Sequence, residues 1–285
     1  MKNITPKMKK KLKIYLRLII QILFFLIMPS IFTTAFSGVK YIFTQIGNGQ
    51  SIELTSFVTV LIVLCIYTIV FGRFFCGFAC AFGSVGDWIH EVYLIICKKL
   101  KKKPLVINEK IRRKSTLIKY IILATIVITC FCGVYSKTKG WSPWEVFSML
   151  LAGNISLSTY VPAIIILLLI IVGMAVCERF FCRFLCPMGA VFSLLPILPF
   201  FSLGREREKC IKGCRACINK CPSDIELPEL GTDIQSGDCF MCQKCIDICP
   251  KSNVRTSVKK LRGNESMFTL IKVILLIILM KYAGV

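Results

Sequence analysis

Two runs of four cysteines near the C-terminus carry the strongest chemical signal in this 285-residue sequence. The first reads Cys-x3-Cys-x2-Cys-x3-Cys-Pro and the second reads Cys-x2-Cys-x2-Cys-x3-Cys-Pro. The second spacing is typical of chains that hold two [4Fe–4S] clusters, in which the fourth cysteine of each run binds the other cluster. This rule predicts that one cluster is held by Cys210, Cys214, Cys217 and Cys249, and the other by Cys239, Cys242, Cys245 and Cys221.

The first run departs from this pattern by one extra residue, Gly213, before its second cysteine. A tight loop accommodates an extra glycine more easily than any other residue. The prediction that Cys210 is a cluster ligand therefore depends on how this loop folds. Structural zinc is the alternative for any cysteine-rich run. Zinc sites are usually built from paired Cys-x2-Cys units, and two four-cysteine runs ending in Cys-Pro favour two clusters instead.

A second cysteine motif, Arg-Phe-Phe-Cys-x3-Cys-x2-Gly, occurs twice, at residues 73–83 and 179–189. Helix positions i and i+4 share a face, so each copy can point two sulfurs the same way. An internal repeat of this kind predicts a duplicated two-helix unit. If pseudo-symmetry joins the copies, four thiols suited to metal or cluster ligation meet, namely Cys76, Cys80, Cys182 and Cys186.

Buried packing is the alternative for these four thiols, because cysteine is among the most buried residue types. Packing explains the five scattered cysteines at 65, 97, 130, 132 and 177, but it explains a repeated spacing poorly. A cluster, another metal and reversible disulfides all stay open for the four. Arg73 and Arg179 precede the motifs, and each can either snorkel to an interface or offset the charge of ligated thiolates.

The elements that position these cysteines are apolar. The sequence is 55% hydrophobic and 18% charged, above the apolar share of an ordinary soluble domain. A span needs about 20 helical residues, and five stretches come close to this length: 18–36, 57–75, 117–135, 160–176 and 267–285. The last contains two lysines and is alternatively an interfacial amphipathic helix. The first is alternatively a cleaved secretory signal.

The formal charge of +22 is distributed unevenly. Seven basic residues and no acidic residue lie in the first 17 positions, and ten basic residues lie between positions 98 and 119. Basic residues close to spans resist translocation. This pattern predicts a multi-pass protein of the cytoplasmic membrane with its N-terminus and residues 205–262 inside. A membrane explains the distribution and nucleic acid does not. The acidic stretch 222–238 indicates either a docking face or, more simply, a solvated loop.

The predicted fold is therefore a mainly α membrane protein. It combines a duplicated two-helix transmembrane unit, with four to five spans, and a cytoplasmic bacterial-type 2[4Fe–4S] ferredoxin domain. We expect residues 1–204 to form the membrane domain, residues 205–262 the ferredoxin domain and residues 263–285 a transmembrane or interfacial helix.

Paired membrane Cys-x3-Cys motifs followed by two ferredoxin runs resemble the NapH-type polyferredoxin membrane proteins, which are related to NosR-type and FixG-type membrane modules. Ala81 stands where this family usually has proline. The resemblance implies electron transfer between cytoplasmic or quinone donors and an extracytoplasmic redox partner, with a flavoprotein or reductase among the separate partner chains. The alternative is a copper oxidase-type metallocentre assembly or metal-reducing factor. The only histidine, His90, favours a subunit of an oxidoreductase complex over a stand-alone enzyme.

Overall fold

The computed structural model describes residues 6–135, 140–153, 160–198, 201–230, 236–256 and 265–284. Within these residues the chain is mainly helical, and its strands form one two-stranded sheet. The first two helices are α1 (Pro6–Ile27) and α2 (Ile31–Gly47), which meet at a 60° bend. Pro29 lies in this break and accounts for it, because proline lacks the N–H that would continue the helix. The apolar stretch 18–36 is therefore two helices rather than one.

The first copy of the repeated motif follows an apolar helix. Helix α3 (Ser56–Phe71) ends at Gly72, whose φ of 68° is the left-handed conformation common at helix ends. The short α4 (Phe74–Phe78) carries Cys76, and Cys80 is extended with φ −71° and ψ 120°. Helix α5 (Ala81–Lys99) then begins.

The second copy has the same local order. Helix α9 (Val161–Val176) leads into a π-helical turn at Phe181–Leu185 that carries Cys182. Cys186 is extended with φ −72° and ψ 114°, close to the values of Cys80, and α10 (Pro187–Leu194) follows. The helices between the two copies are α6 (Glu109–Ser115), α7 (Ile118–Phe131) and α8 (Pro143–Leu151).

The cysteine runs lie in a small folded unit with little regular structure. Strand β1 (Leu203–Arg205) pairs antiparallel with β2 (Val254–Thr256), and this pairing joins the two ends of the unit. Short helices α11 (Ala216–Asn219) and α12 (Lys244–Ile248) lie between them. Helix α13 (Glu265–Tyr282) packs against α3, where the Tyr67 hydroxyl donates a hydrogen bond of 3.0 Å to the carbonyl oxygen of Lys272.

Helix length alone supports fewer spans than the five apolar stretches predict. Among the described residues, one continuous helical segment, 109–131, is long and apolar enough to cross a membrane, and the bent pair α1–α2 makes a second if it counts as one span. Helices α3 and α9 have 16 residues each, about 24 Å at 1.5 Å per residue. Apolar side chains nevertheless project outward from these elements, for example Ile66, Ile121, Leu169 and Ile274.

Candidate iron–sulfur centres

The second predicted cluster site is a cavity in the cysteine-run unit. A small cavity of about 20 Å³ lies between the two runs. Its lining includes the fourth cysteine of the first run, Cys221, and three cysteines of the second run, Cys239, Cys242 and Cys245. Cys217, which the rule assigns to the other cluster, also lines it. The structure thus brings together the four cysteines that the cross-ligation rule assigns to one cluster. Four cysteine thiolates are the donor set that [4Fe–4S] clusters use.

The first predicted site is organised around Asn253. Its backbone N–H donates to the Cys249 sulfur at 3.3 Å, and its side-chain amide donates to the Cys210 sulfur at 3.4 Å. Cys210 therefore lies beside Cys249 despite the inserted Gly213, which absorbs the extra length in a left-handed conformation with φ 74°. Cys217 is buried, and Cys214 lies partly exposed on the same loop.

The two membrane motifs meet, and all four of their cysteines are buried. A Cβ atom added to Gly83 of the first copy would lie 3.7 Å from the Cys182 sulfur of the second. Burial raises the pKa of the Cys182 thiol to about 12, and Arg179 only partly offsets it. A free Cys182 thiol therefore stays protonated at neutral pH, so metal or cluster binding must displace its proton. In the described residues, no three His, Cys, Asp or Glu side chains converge closely enough to hold a single metal ion.

Arg179 crosses from the second copy to the first. Its guanidinium pairs with Asp87 through Nε at 3.1 Å and Nη2 at 2.5 Å, and it also donates to the carbonyl oxygens of Cys76 and Gly77. Burial alone would raise the pKa of Asp87, but the charges of Arg179 and Lys244 hold that pKa below its usual value. A buried bidentate pair of this kind fixes the relative position of the two copies.

Arg73 reaches from the first copy to the second, but two of its guanidinium nitrogens have no hydrogen-bond partner among the described residues. Its Nη2 would lie 3.0 Å from a Cβ atom added to Gly189 of the second copy. Arg73 is 1% exposed, and the two nitrogens in question are its Nε and Nη2. A buried cation with unpaired donors beside four thiols fits an anionic, thiolate-ligated group.

Ion pairs connect the cysteine-run unit to the helices. Asp224 forms ion pairs with Arg183, at 2.8 Å, and with Arg112, at 3.0 Å. Four further pairs involve the same face of the unit: Asp238 with Arg73 and Lys119, Lys244 with Glu178, and Asp247 with Arg17. Two residues of the acidic stretch 222–238, Asp224 and Asp238, are therefore partners of basic residues in this chain. The interpretation of that stretch as a solvated loop is wrong for these two.

Comparisons with known proteins agree with the cysteine pattern. Residues 54–104 and 160–205 match the 4Fe–4S binding domain family, and residues 202–262 match the 4Fe–4S dicluster domain family. Two uncharacterized proteins of Methanocaldococcus jannaschii are similar. One is 30% identical over 83% of this chain and 92% of its own length, and the other is 31% identical over 70% of this chain and 69% of its own. Ferredoxin-type protein NapH of Escherichia coli is 22% identical over 78% of this chain and 75% of NapH.

The chain belongs to the NapH/NosR-type family of ferredoxin membrane proteins. It is an iron–sulfur electron-transfer protein, as the sequence predicted. Each of the two matched 4Fe–4S binding segments contains one Cys-x3-Cys pair, and the dicluster segment contains all eight cysteines of the two runs. No solved structure matches this chain.

Sequence reasoning missed several residues of this NapH-type site. Asp87, Lys244 and Phe240 are buried where the copies and the ferredoxin unit meet. Two guanidinium groups lie over the Phe240 ring. The Cζ atom of Arg73 is 4.7 Å from the ring centroid, and the Cζ atom of Arg179 is 5.3 Å from it. Asp87 had a detectable signal, because an acidic residue in an apolar helix is rare and usually paired. Phe240 had none, since one aromatic residue between cysteines is compatible with any packing.

Proposed function

We propose that this chain is a membrane electron-transfer subunit that passes electrons between its ferredoxin clusters and a third centre held by the four membrane thiols. In this proposal the two runs hold two [4Fe–4S] clusters as the cross-ligation rule assigns them. Cys76, Cys80, Cys182 and Cys186 hold a further cluster. The observation that carries the proposal is Phe240, which follows the cluster ligand Cys239 and lies against both arginines of the thiol site.

Side chains of this protein set the hydrogen bonding and the charge around each centre. Clusters, when bound, supply one-electron exchange without proton transfer. Arg205 and Asn253 donate hydrogen bonds to cysteine sulfurs at 3.5 Å and 3.4 Å, and such bonds raise cluster potentials. Arg73 and Arg179 offset the negative charge of the membrane thiolates in a buried setting. Phe240 is 3% exposed, so its ring and the guanidinium groups against it are shielded from bulk water.

We place the three centres in a line from the cytoplasm to the membrane. Residues 1–204 and the C-terminal helix 263–285 form a multi-pass membrane part, and the ferredoxin domain 205–262 lies on the cytoplasmic side with the N-terminus. The outward-facing apolar side chains of α3, α7, α9 and α13 support this arrangement. The basic excess near the N-terminus and in residues 98–119 supports its orientation.

The exposed end of the line fits a protein donor or acceptor with an acidic surface, such as a flavoprotein or reductase. The loop that carries Cys210 and Cys214 exposes Ile211 at 50% and also exposes Lys212 and Arg215. This surface, with an apolar centre and a basic rim, is complementary to an acidic partner surface. The opposite charges raise the rate of association at low salt.

A groove beside the second site supports quinol as a second donor class. The groove has a volume of about 250 Å³ and is lined by His90, Leu105, Val176 and the proposed ligand Cys221. His90 Nδ1 lies 2.8 Å from the Ala175 carbonyl oxygen, which only accepts, so Nδ1 carries the proton and Nε2 is left as an acceptor. Oxidation of a quinol releases two electrons to the chain and two protons, one of which Nε2 can take.

Metal analysis of the anaerobically purified protein tests the proposal. We expect about twelve irons in the wild type and about eight in a Cys76→Ala/Cys182→Ala variant, because each [4Fe–4S] cluster holds four. A Cys97→Ala/Cys130→Ala variant, which removes two buried cysteines outside the motifs, is the control and should keep twelve. Eight irons in the wild type would rule out the third cluster, and stoichiometric copper there would favour metallocentre assembly.

The same preparations distinguish the two donors. His90→Gln should slow reduction by a soluble quinol and leave reduction by dithionite unchanged. High salt should slow only a protein donor at the basic rim. Quinol reduction that is insensitive to His90→Gln would argue against the groove.

A further inference from the structure

The two copies of the membrane motif differ at one charged position. In the first copy, Asp87 lies one helical turn after Gly83 and neutralises Arg179, which crosses from the second copy. The equivalent position in the second copy, one turn after Gly189, is Ser193. Ser193 donates a hydrogen bond to the Ala190 carbonyl and carries no charge. The second copy therefore supplies no carboxylate to the arginine that crosses to it, Arg73.

The ferredoxin unit supplies the missing carboxylate. Asp238 lies 3.6 Å from the Nη1 atom of Arg73, and the same carboxylate pairs with the buried Lys119. Arg73 Nη1 also lies 3.4 Å from the Gly237 carbonyl oxygen, which accepts from it. One buried cation of the thiol site is thus neutralised within the membrane motif, and the other is neutralised from the ferredoxin.

The residues around Asp238 lie so close to both copies that backbone atoms of the two parts are nearly in contact. A Cβ atom on Gly237 would overlap the Ser193 carbonyl oxygen of the second copy, and a Cβ atom on Gly77 of the first copy would overlap the Phe240 carbonyl oxygen. A Cβ atom on Gly72 would lie 3.0 Å from the Met241 side chain. Residues 237–241 are therefore inserted between the two copies, and glycine on either side makes the approach possible.

We propose that residues 237–241 of the ferredoxin unit complete the membrane thiol site, with Asp238 as the carboxylate that the second copy lacks and Phe240 as the ring that both arginines hold. This inference rests on the proposed third centre. Asp238 and Phe240 are positioning residues, because they act on the thiol site through Arg73 and Arg179. The site has its full set of charges only when the ferredoxin unit is docked, so the third centre and the second cluster are built as one unit.

A charge substitution with a symmetric rescue tests this proposal in the full-length holoprotein. Asp238→Asn removes the carboxylate from the ferredoxin side, and Ser193→Asp in the same chain restores one at the position that corresponds to Asp87. Asp247→Asn is the matched control, because it makes the same change on the docked face of the ferredoxin but at Arg17. Iron content, redox titration followed by EPR, and hydrogen exchange of residues 237–242 are measured for each.

We expect Asp238→Asn to shift the midpoint potential of the third centre to more positive values, because a nearby anion is lost, and to increase exchange of residues 237–242. Ser193→Asp should return the potential toward that of the wild type, and Asp247→Asn should leave it unchanged. If Asp238→Asn instead loses the third centre, recovery of its four irons by Ser193→Asp supports the proposal. An unshifted potential in Asp238→Asn, an equal shift in Asp247→Asn, or failure of Ser193→Asp to restore the site would overturn it. Eight irons in the wild type would instead refute the third centre itself.

Discussion

Single buried charges decide how the NapH-type chain holds its thiol site. Asp87 faces Arg179, Lys244 and the amide of Gln21, which donates to it at 3.0 Å. Arg179 depends on this carboxylate, and Lys244 shares it as a second partner beside Glu178. A buried charge without its partner costs far more than an exposed one. Arg179 also has a positive φ of 58°, a strained backbone conformation for a residue with a side chain. The ion pair holds this strained residue in place.

Asp87→Asn should destabilise the protein by about 3–5 kcal/mol, because Arg179 loses its buried counter-ion and Lys244 loses one of its two. The expected drop in melting temperature is roughly 6–20 °C, at about 2–4 °C per kcal/mol for a domain of this size. Thermal unfolding in detergent measures it. Glu109→Gln, at an exposed carboxylate at the start of α6, is the control and should cost no more than about 1 kcal/mol. Equal losses in the two variants would contradict the role given to Asp87.

The loss in Asp87→Asn should not depend on pH between about 5 and 8. The folded state lowers the pKa of Asp87, so its contribution is present above the ordinary carboxyl pKa of about 3.9 and is lost only as pH falls further. Melting temperatures measured at pH 6 and pH 8 should show the same difference between variant and wild type. A difference that shrinks at pH 6 would indicate that Asp87 titrates there.

At the scale of elements, the repeat was predictable and the docking was not. The expectation that each copy places its two sulfurs on one helix face is wrong, because Cys80 and Cys186 are extended and follow the helical turns that carry Cys76 and Cys182. The doubled Arg-Phe-Phe-Cys motif correctly indicated two local structures of the same kind, because backbone breaks and cysteine spacing are local properties. The cysteine runs indicated the cross-arrangement of Cys221 and Cys249 for the same reason. Contacts such as that of Phe240 with Arg73 join positions 167 residues apart, the difference between their numbers, and nothing in the local sequence specifies them. The 60° bend at Pro29 also escaped prediction, since apolarity continues through it.

Gly77→Ala tests whether docking depends on close backbone approach. The added Cβ atom would overlap the Phe240 carbonyl oxygen, so residues 238–242 must move away from α4 and exchange amide hydrogens faster. Gly86→Ala in α5 is the control. Its Cβ atom would meet only the flexible Met174 side chain at 3.5 Å, and alanine favours a helix by about 0.5–1 kcal/mol over glycine. Unchanged exchange in Gly77→Ala would mean that the segment does not pack as described.

At the scale of the whole molecule, charge and apolar surface argue for one orientation in the membrane. Basic residues accumulate at the end of the molecule where the ferredoxin unit docks, and several of them bind its acidic residues: Arg17, Arg112, Lys119 and Arg183 pair with Asp247, Asp224 and Asp238. These basic residues therefore hold the ferredoxin unit against that end of the helices. In the orientation that we propose, they also keep that end on the cytoplasmic side. Orientation and cluster position depend on the same side chains.

Reporter fusions test this orientation without disturbing the cysteines. A fluorescent protein that matures only in the cytoplasm should fluoresce when fused after residue 103, between α5 and α6, and stay dark when fused after residue 50, between α2 and α3. A phosphatase active only outside should give the opposite pattern, because the basic residues at 98–103 oppose translocation and the stretch after α2 has few charges. Changing the five lysines at 98–103 to glutamine should weaken this contrast, whereas changing three lysines of the ferredoxin loop at 209, 212 and 220 should not. Fluorescence from both fusion sites in the unmodified chain would contradict this orientation, because α3 would then not cross the bilayer. The thiol pairs would lie at a surface rather than at the end of a membrane-spanning unit.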